Sequence, residues 1–246
     1  MTTKLLTDDE IRRILQTYNT IGIAGEKECG KSVLDAMFAH AQNEGEVIVI
    51  DALGVFNPLN DNKTAAIPGS AYYPSPDAFI QKQDKSFKKH VINFSKIKNR
   101  RDKIIKMDEL CDHIEGVAEK EKNKTQRTLI IDEAADFIPQ KGKKSESLEY
   151  TIKNGRNWLV LPTILTTQRP QRIDKDSFEL SNAYIIFNQM GKNTLDRLVE
   201  ITNAEDPDSM ETRIRGLEKR HFLLVHKNDI QEYKIPEYKF AFKQHR

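Results

Sequence analysis

Residues 25–32 read Gly25-Glu26-Lys27-Glu28-Cys29-Gly30-Lys31-Ser32, a complete match to the pattern G-x-x-x-x-G-K-[ST]. The apolar stretch Thr20-Ile21-Gly22-Ile23-Ala24 runs into it, and a helix-like run from Val33 to Ala41 leaves it. Strand, glycine loop and helix in that order predict a site where backbone N–H groups turn inward toward phosphate oxygens. The positive N-terminal end of the helix adds to the attraction. On this reading the segment Gly25 to Val33 holds a nucleoside triphosphate. Lys31 would bridge its β- and γ-phosphates and Ser32 would hold Mg²⁺.

Further apolar runs follow at intervals: Glu46 to Asp51, His90 to Phe94, Thr128 to Asp132, Thr163 to Thr167 and Ala183 to Phe187. Continuous apolar runs suit strands covered on both faces, as in a parallel sheet. Helical patterns lie between them, at 102–121, 145–156, 192–202 and 207–218. Strands alternating with helices predict an α/β fold with a mostly parallel central sheet flanked by helices. Phe222 to Val225 and Glu232 to Ile235 read as a closing strand pair, and residues 52–76, with their Gly, Pro and Asn, read as a loop. Thr7 caps a short amphipathic helix over 7–17. The organisation expected is a helical extension over 1–17, a nucleotide-binding domain over 18–236 and a basic tail over 237–246.

Composition narrows the class. The net charge of +2 in 246 residues points to no partner by itself, but ten Lys and Arg fall between Lys82 and Lys106 against two acids, Asp84 and Asp102. Two cysteines, Cys29 and Cys111, make no disulfide framework, and a bridge at Cys29 would obstruct the loop. With no signal-like apolar segment in Met1 to Leu15 and no run long enough to span a bilayer, the expectation is a cytoplasmic protein without a membrane span.

Three further elements carry chemistry. Leu129-Ile130-Ile131-Asp132-Glu133 delivers two adjacent carboxylates to the C-terminal end of a strand, where open α/β sheets bind their ligands. Asp132 would hold the shell of the Mg²⁺, and Glu133 would activate the attacking water. A second adjacent acid favours hydrolysis, since water needs its own base. Thr166-Thr167-Gln168-Arg169-Pro170 ends the next strand, beside the one bearing Asp132. Gln168 either touches the γ-phosphate or belongs to an ordinary polar turn stopped by Pro170. Gly155-Arg156-Asn157-Trp158 precedes that strand, at the end far from its own nucleotide. Arg156 is either a solvated surface arginine or a group that enters a neighbouring subunit's site and stabilises transition-state charge there.

These residues together resemble the HerA/FtsK superfamily of ring-forming, DNA-translocating ATPases. The resemblance rests on Gly25–Ser32, Asp51 at the end of the second strand, Ile130–Glu133, Gly155-Arg156, Thr167-Gln168-Arg169-Pro170 and Ile214–His226, and it spans about residues 18–226. It implies a RecA-like P-loop fold, ATP and Mg²⁺ as cofactors, Gln168 as a γ-phosphate sensor and Arg156 as a finger acting in trans. It also implies a homo-oligomeric ring, a hexamer or pentamer. A bare ATPase core of this size is most similar to the viral genome-packaging ATPases of that superfamily, whose partner would be a capsid vertex and whose place would be the host cytoplasm or the virion. Lys27 departs from the small residues common in such loops.

A translocase grips phosphates with basic loops. The candidates are the basic run Lys96, Lys98, Arg100, Arg101 and Lys103, and the loop of Lys141, Lys143 and Lys144. Few aromatics interleave these runs, which favours double-stranded DNA over stacked single strands. Two other functions stay open: a cellular or plasmid motor serving repair or conjugation, and a nucleotide-gated scaffold with little turnover.

Overall fold

Each apolar run becomes a strand of one ten-stranded sheet in the computed structural model, which describes residues 3–57 and 67–237. The basic tail lies almost wholly outside the described residues. In chain order the elements are β1 (Lys4–Leu5), α1 (Asp8–Thr17), β2 (Thr20–Ala24), α2 (Lys31–Ala41), β3 (Glu46–Asp51), β4 (Ser70–Tyr73) and α3 (Pro76–Lys82). Then come β5 (Lys89–Asn93), α4 (Arg100–Lys120), β6 (Arg127–Ile131), α5 (Glu146–Asn154), β7 (Val160–Thr167) and α6 (Lys175–Glu179). The chain closes with β8 (Ala183–Phe187), α7 (Lys192–Thr202), α8 (Pro207–Gly216), β9 (His221–His226) and β10 (Asp229–Lys234).

The strand order is β1-β10-β9-β8-β2-β7-β6-β3-β5-β4. From β8 through β4 every pairing is parallel, while β9 runs antiparallel to both β8 and β10. The apolar runs are continuous because alternate residues feed two separate cores. Val47 and Val49 pack with Leu34, Met37 and Phe38 of α2 on one face, whereas Ile48 and Ile50 pack with Met107, Leu110 and Ile114 of α4 on the other. The segment around α1 joins the first of these layers through Ile11, Ile14 and Leu15. Thr7 caps α1 by accepting from Glu10 N, as its sequence pattern indicates.

Residues 52–76 depart from the loop expected of them: they contain β4, and Pro76 opens α3. β4 is a short edge strand buried only at its two ends, so it carries no apolar run to betray it. At the N-terminal ends of the strands, Arg127 is 2 % exposed and its Nε lies 2.8 Å from Glu46 Oε2, while Glu46 Oε1 lies 3.0 Å from His90 Nε2. This ion network closes the end of the sheet opposite the glycine loop. Cys29 and Cys111 are both buried and free. No helix among the described residues is long and apolar enough to cross a membrane.

Candidate nucleotide site and the adjoining basic cleft

The loop between β2 and α2 is shaped before any ligand arrives. A Cβ on Gly25 would lie 2.5 Å from Cys29 Sγ and 2.7 Å from Phe187 Cβ, so only glycine fits there. Gly30 caps α2 at φ 124°, a backbone region that side chains disfavour. The N–H groups of Lys31, Ser32 and Val33 find no acceptor among the described residues, and the first helical bond is Leu34 N to Gly30 O. Such orphan donors at a helix start form an anion site. The Lys31 ammonium lies back across the loop, donating to Gly25 O (2.8 Å) and Glu26 O (2.6 Å). Burial raises the pKa of the Cys29 thiol beside it. Lys27 points to solvent, while Glu26 Oε1 accepts from Met190 N at 2.9 Å.

Two loops from later in the chain brace this one. Gln189, 2 % exposed after the end of β8, accepts from Gly25 N (3.0 Å) and Glu26 N (3.1 Å) once its amide is oriented to satisfy them. Arg220 N, just before β9, donates to Cys29 O at 3.1 Å.

Asp132 emerges from the end of β6, and its own N–H donates to Ile50 O of β3 at 3.0 Å. Asp35, one turn into α2, is fully buried, and its Oδ1 accepts from Thr166 Oγ1 of β7 at 2.9 Å. Oδ2 of Asp35 and Oδ2 of Asp132 are both buried without a hydrogen-bond partner among the described residues. Burial pushes the Asp35 carboxyl up to about 7, against the pull of Thr166 and Lys31. Burial, with the neighbouring charges of Asp35, Asp51 and Glu133, raises Asp132 well above the carboxylate range. Two orphaned carboxylate oxygens with Lys31 as nearby cation suit a site that gains a further cation with its ligand. No three His, Cys, Asp or Glu side chains converge as a metal site among the described residues, so phosphate oxygens would have to complete the shell of a Mg²⁺. Ser32 and Asp132, at the mouth of α2 and the end of β6, are the residues that fit it. Asp51 is spent otherwise: its carboxylate accepts from Gly54 N (2.7 Å), Val55 N (2.9 Å) and Phe56 N (3.0 Å), fixing the turn after β3.

Glu133 follows in the left-handed region, at φ 51°, which residues other than glycine adopt infrequently. Its Oε1 accepts from Thr167 Oγ1 at 3.0 Å and its Oε2 from Gln168 N at 3.1 Å, both at the end of β7. Burial raises its pKa, while these two hydrogen bonds favour the charged form and oppose the rise. Gln168 thus meets Glu133, and its own side chain lines a cleft beside it. Arg156 does not join this group. It is exposed in a 3-10 turn, Gly155–Trp158, at the opposite end of β7. That strand has eight residues, which at about 3.3 Å each keeps Arg156 about 25 Å from Gln168.

The cleft has a volume of about 650 Å³ and opens over the ends of β6 and β7. Its cations are Lys98, Arg100, Lys103, Lys141, Arg169 and Arg172. Of the eight residues that sequence reading offered for nucleic acid, Lys98, Arg100, Lys103 and Lys141 line it and Lys96, Arg101, Lys143 and Lys144 do not. Lys144 is engaged within the chain: its Nζ lies 2.9 Å from Glu149 and 3.4 Å from Asp174, where it ties the loop after β6 to α5 and α6.

No protein-family model and no curated protein matches this chain. Solved structures do. The genome-packaging NTPase B204 of Sulfolobus turreted icosahedral virus 2, in complex with AMP, superposes with a TM-score of 0.63 at 18 % identity, over 89 % of this chain and 98 % of that one. The bacterial conjugative coupling protein TrwB, lacking its first 70 residues, gives 0.63 at 10 % identity over 99 % and 90 % of the two chains. VirB4 of Thermoanaerobacter pseudethanolicus gives 0.61 at 12 % identity over 96 % and 92 %. This chain shares with them a RecA-like fold, a mostly parallel central sheet flanked by helices.

Proposed function

We propose that this chain is an ATPase that moves double-stranded DNA as a ring of identical subunits, and that its task is to package a viral genome. The observation that carries the ATPase is the meeting, at the C-terminal ends of three strands, of the Lys31 loop, Asp132 and a Glu133 held by Thr167 and Gln168. Gly25 to Val33 bind the triphosphate, with Lys31 exchanging its loop carbonyls for phosphate oxygens. Bound Mg²⁺, held by Ser32 and Asp132, would neutralise charge on the phosphates. Glu133 takes the proton of the attacking water, and Gln168, whose N–H already touches Glu133, reads the γ-phosphate.

Arg156 lies too far from its own loop to act there, which supports a role toward a neighbouring subunit and hence a ring. DNA as the substrate draws on the likeness to the packaging NTPase, which spans 98 % of that chain, and on the basic cleft beside Glu133. Likeness to TrwB over 99 % of this chain supports a second reading, a plasmid-borne or cellular DNA motor. ATP turnover measured without DNA, with duplex and with single strands tests the proposal. Stimulation that is strongest with duplex supports it; turnover indifferent to either form removes DNA from the account. A major capsid gene beside this one supports packaging, and a conjugation or repair operon supports the second reading.

A further inference from the structure

The basic cleft is built differently from a solubilising surface. Lys103 is neutralised by Asp136, 2.5 Å away, and Arg100 donates to Ala135 O at 2.6 Å. Among the described residues the side chains of Lys141, Arg169 and Arg172 meet no acceptor, and Lys98 reaches only Ser95 O at 3.4 Å. The facing acids are Glu133 and Asp136, and both carboxylates already accept hydrogen bonds. Four cations are therefore left uncommitted around one opening.

The backbone that presents three of them is fixed. The turn after β6 and the turn after β7 are stitched together by a bridge of Pro139 with Ile173, by Gln140 N to Arg172 O at 2.7 Å and by Asp174 N to Ile138 O at 2.8 Å. Arg172 N closes its own turn on Arg169 O at 2.8 Å. A fixed row of cations without counter-ions costs repulsion, which a polyanion would relieve. None of Gly25 to Val33 lines the cleft, so it adjoins the triphosphate site at Glu133 and Gln168 without containing the phosphate loop. No aromatic ring lines it either, so it lacks the platform on which bases stack.

We propose that Lys98, Lys141, Arg169 and Arg172 bind the phosphodiester backbone of the nucleic acid, without reading its bases. The inference rests on the functional reading above and assigns the place where the substrate is held. Its position gives a route to the chemistry. Arg169 N donates to Thr167 Oγ1 at 3.1 Å, and that hydroxyl donates to Glu133 Oε1 at 3.0 Å, so a phosphate drawn to Arg169 pulls on the group that orients the glutamate.

The test is anisotropy of a labelled 30-base-pair duplex, and of the matching single strand, titrated with the full chain at several salt concentrations. The parent should bind with a slope of log affinity against log salt that reflects its phosphate contacts. Arg169→Ala/Arg172→Ala should lower that slope by about 1.5–2 for duplex and weaken binding about tenfold or more. Lys98→Ala/Lys141→Ala, on the other walls of the cleft, should do the same. Lys120→Ala/Lys124→Ala removes two charges at the opposite end of the sheet and should leave the slope within about 0.5. Equal losses in all three doubles point to bulk charge and overturn the cleft. A parent that binds DNA while both cleft doubles keep its slope also overturns the cleft and leaves the motor reading standing. A parent that binds neither form of DNA overturns the motor reading, and the cleft with it.

Discussion

The hydroxyl of Thr167 and the carboxylate of Glu133 meet at 3.0 Å across neighbouring parallel strands, β7 and β6. With Gln168 N as a second donor, the glutamate is held in one orientation although its backbone sits in the left-handed region. A general base has to be aimed before it can act. Thr167→Val should therefore lower kcat for ATP about tenfold, with KM near the parent value, and Thr167→Ser should restore most of it. Steady-state turnover of the three proteins checks this; a Val variant as fast as the parent would show that the hydroxyl does not orient the base.

The pH profile should carry the same signature. Burial raises the Glu133 carboxyl, and a base works only when deprotonated, so kcat should fall with acid at a higher pH than the ordinary glutamate value near 4.3 allows. The Thr167 hydrogen bond favours the charged form. Its loss in Thr167→Val should move the acid limb upward, and a limb that moves down contradicts the assignment.

Asp35 predicts a stability effect of opposite sign to the usual carboxylate. Its folded pKa is about 7 against an ordinary 3.8, so the folded chain binds that proton more tightly than the unfolded one. Stability is favoured at acid pH, declines as pH rises from about 4 to about 7, and bears the full cost above. Asp35→Asn cannot ionise and keeps an acceptor for Thr166. Its Tm advantage over the nucleotide-free parent should be larger at pH 8 than at pH 5 by about 4 °C or more. Thermal melts at the two pH values decide it.

At the other end of the sheet, Arg127 is buried between Glu46 (2.8 Å) and Glu121 (2.5 Å). Arg127→Ala leaves the buried Glu46 without its guanidinium partner and should cost about 3–5 kcal/mol in urea unfolding. Nucleotide affinity should stay unchanged in the folded fraction, because no residue of that network touches the glycine loop.

Much of this was legible before any coordinates. β3, β8 and α7 fall at the boundaries read from their patterns, because β3 and β8 are buried at every residue and α7 is apolar on a helical period. β1, β4, α3 and α6 were not legible: two to seven residues long and lying at edges or between larger elements, they bury too little to leave a period. The meeting of Gln168 with Glu133 followed from two parallel strands being neighbours. Gln189 could not be found that way, since it braces the loop from a segment with no motif, and Arg220, although it lies within Ile214–His226, does so through a backbone bond that only the fold creates. Asp35 is one turn past Ser32 and Thr167 one residue before Gln168, so both lay within reach of the motifs, but their roles come from burial and from hydrogen bonds that only the fold creates. The cations of the cleft were legible in part. Lys98, Arg100, Lys103 and Lys141 lie in the two basic runs, whereas Arg169 and Arg172 come from a third segment with no such run, and the same runs also offer Lys96, Arg101, Lys143 and Lys144, which do not line it.

The central claim is that Glu133 activates water for hydrolysis at the Lys31 loop, and turnover of Glu133→Gln measured beside its ATP affinity tests it most directly. Glutamine keeps the shape and can still accept from Thr167 but cannot take a proton. The account predicts that ATP binds as it does to the parent while turnover falls about a hundredfold or more. Turnover equal to the parent's, with ATP bound, would contradict it.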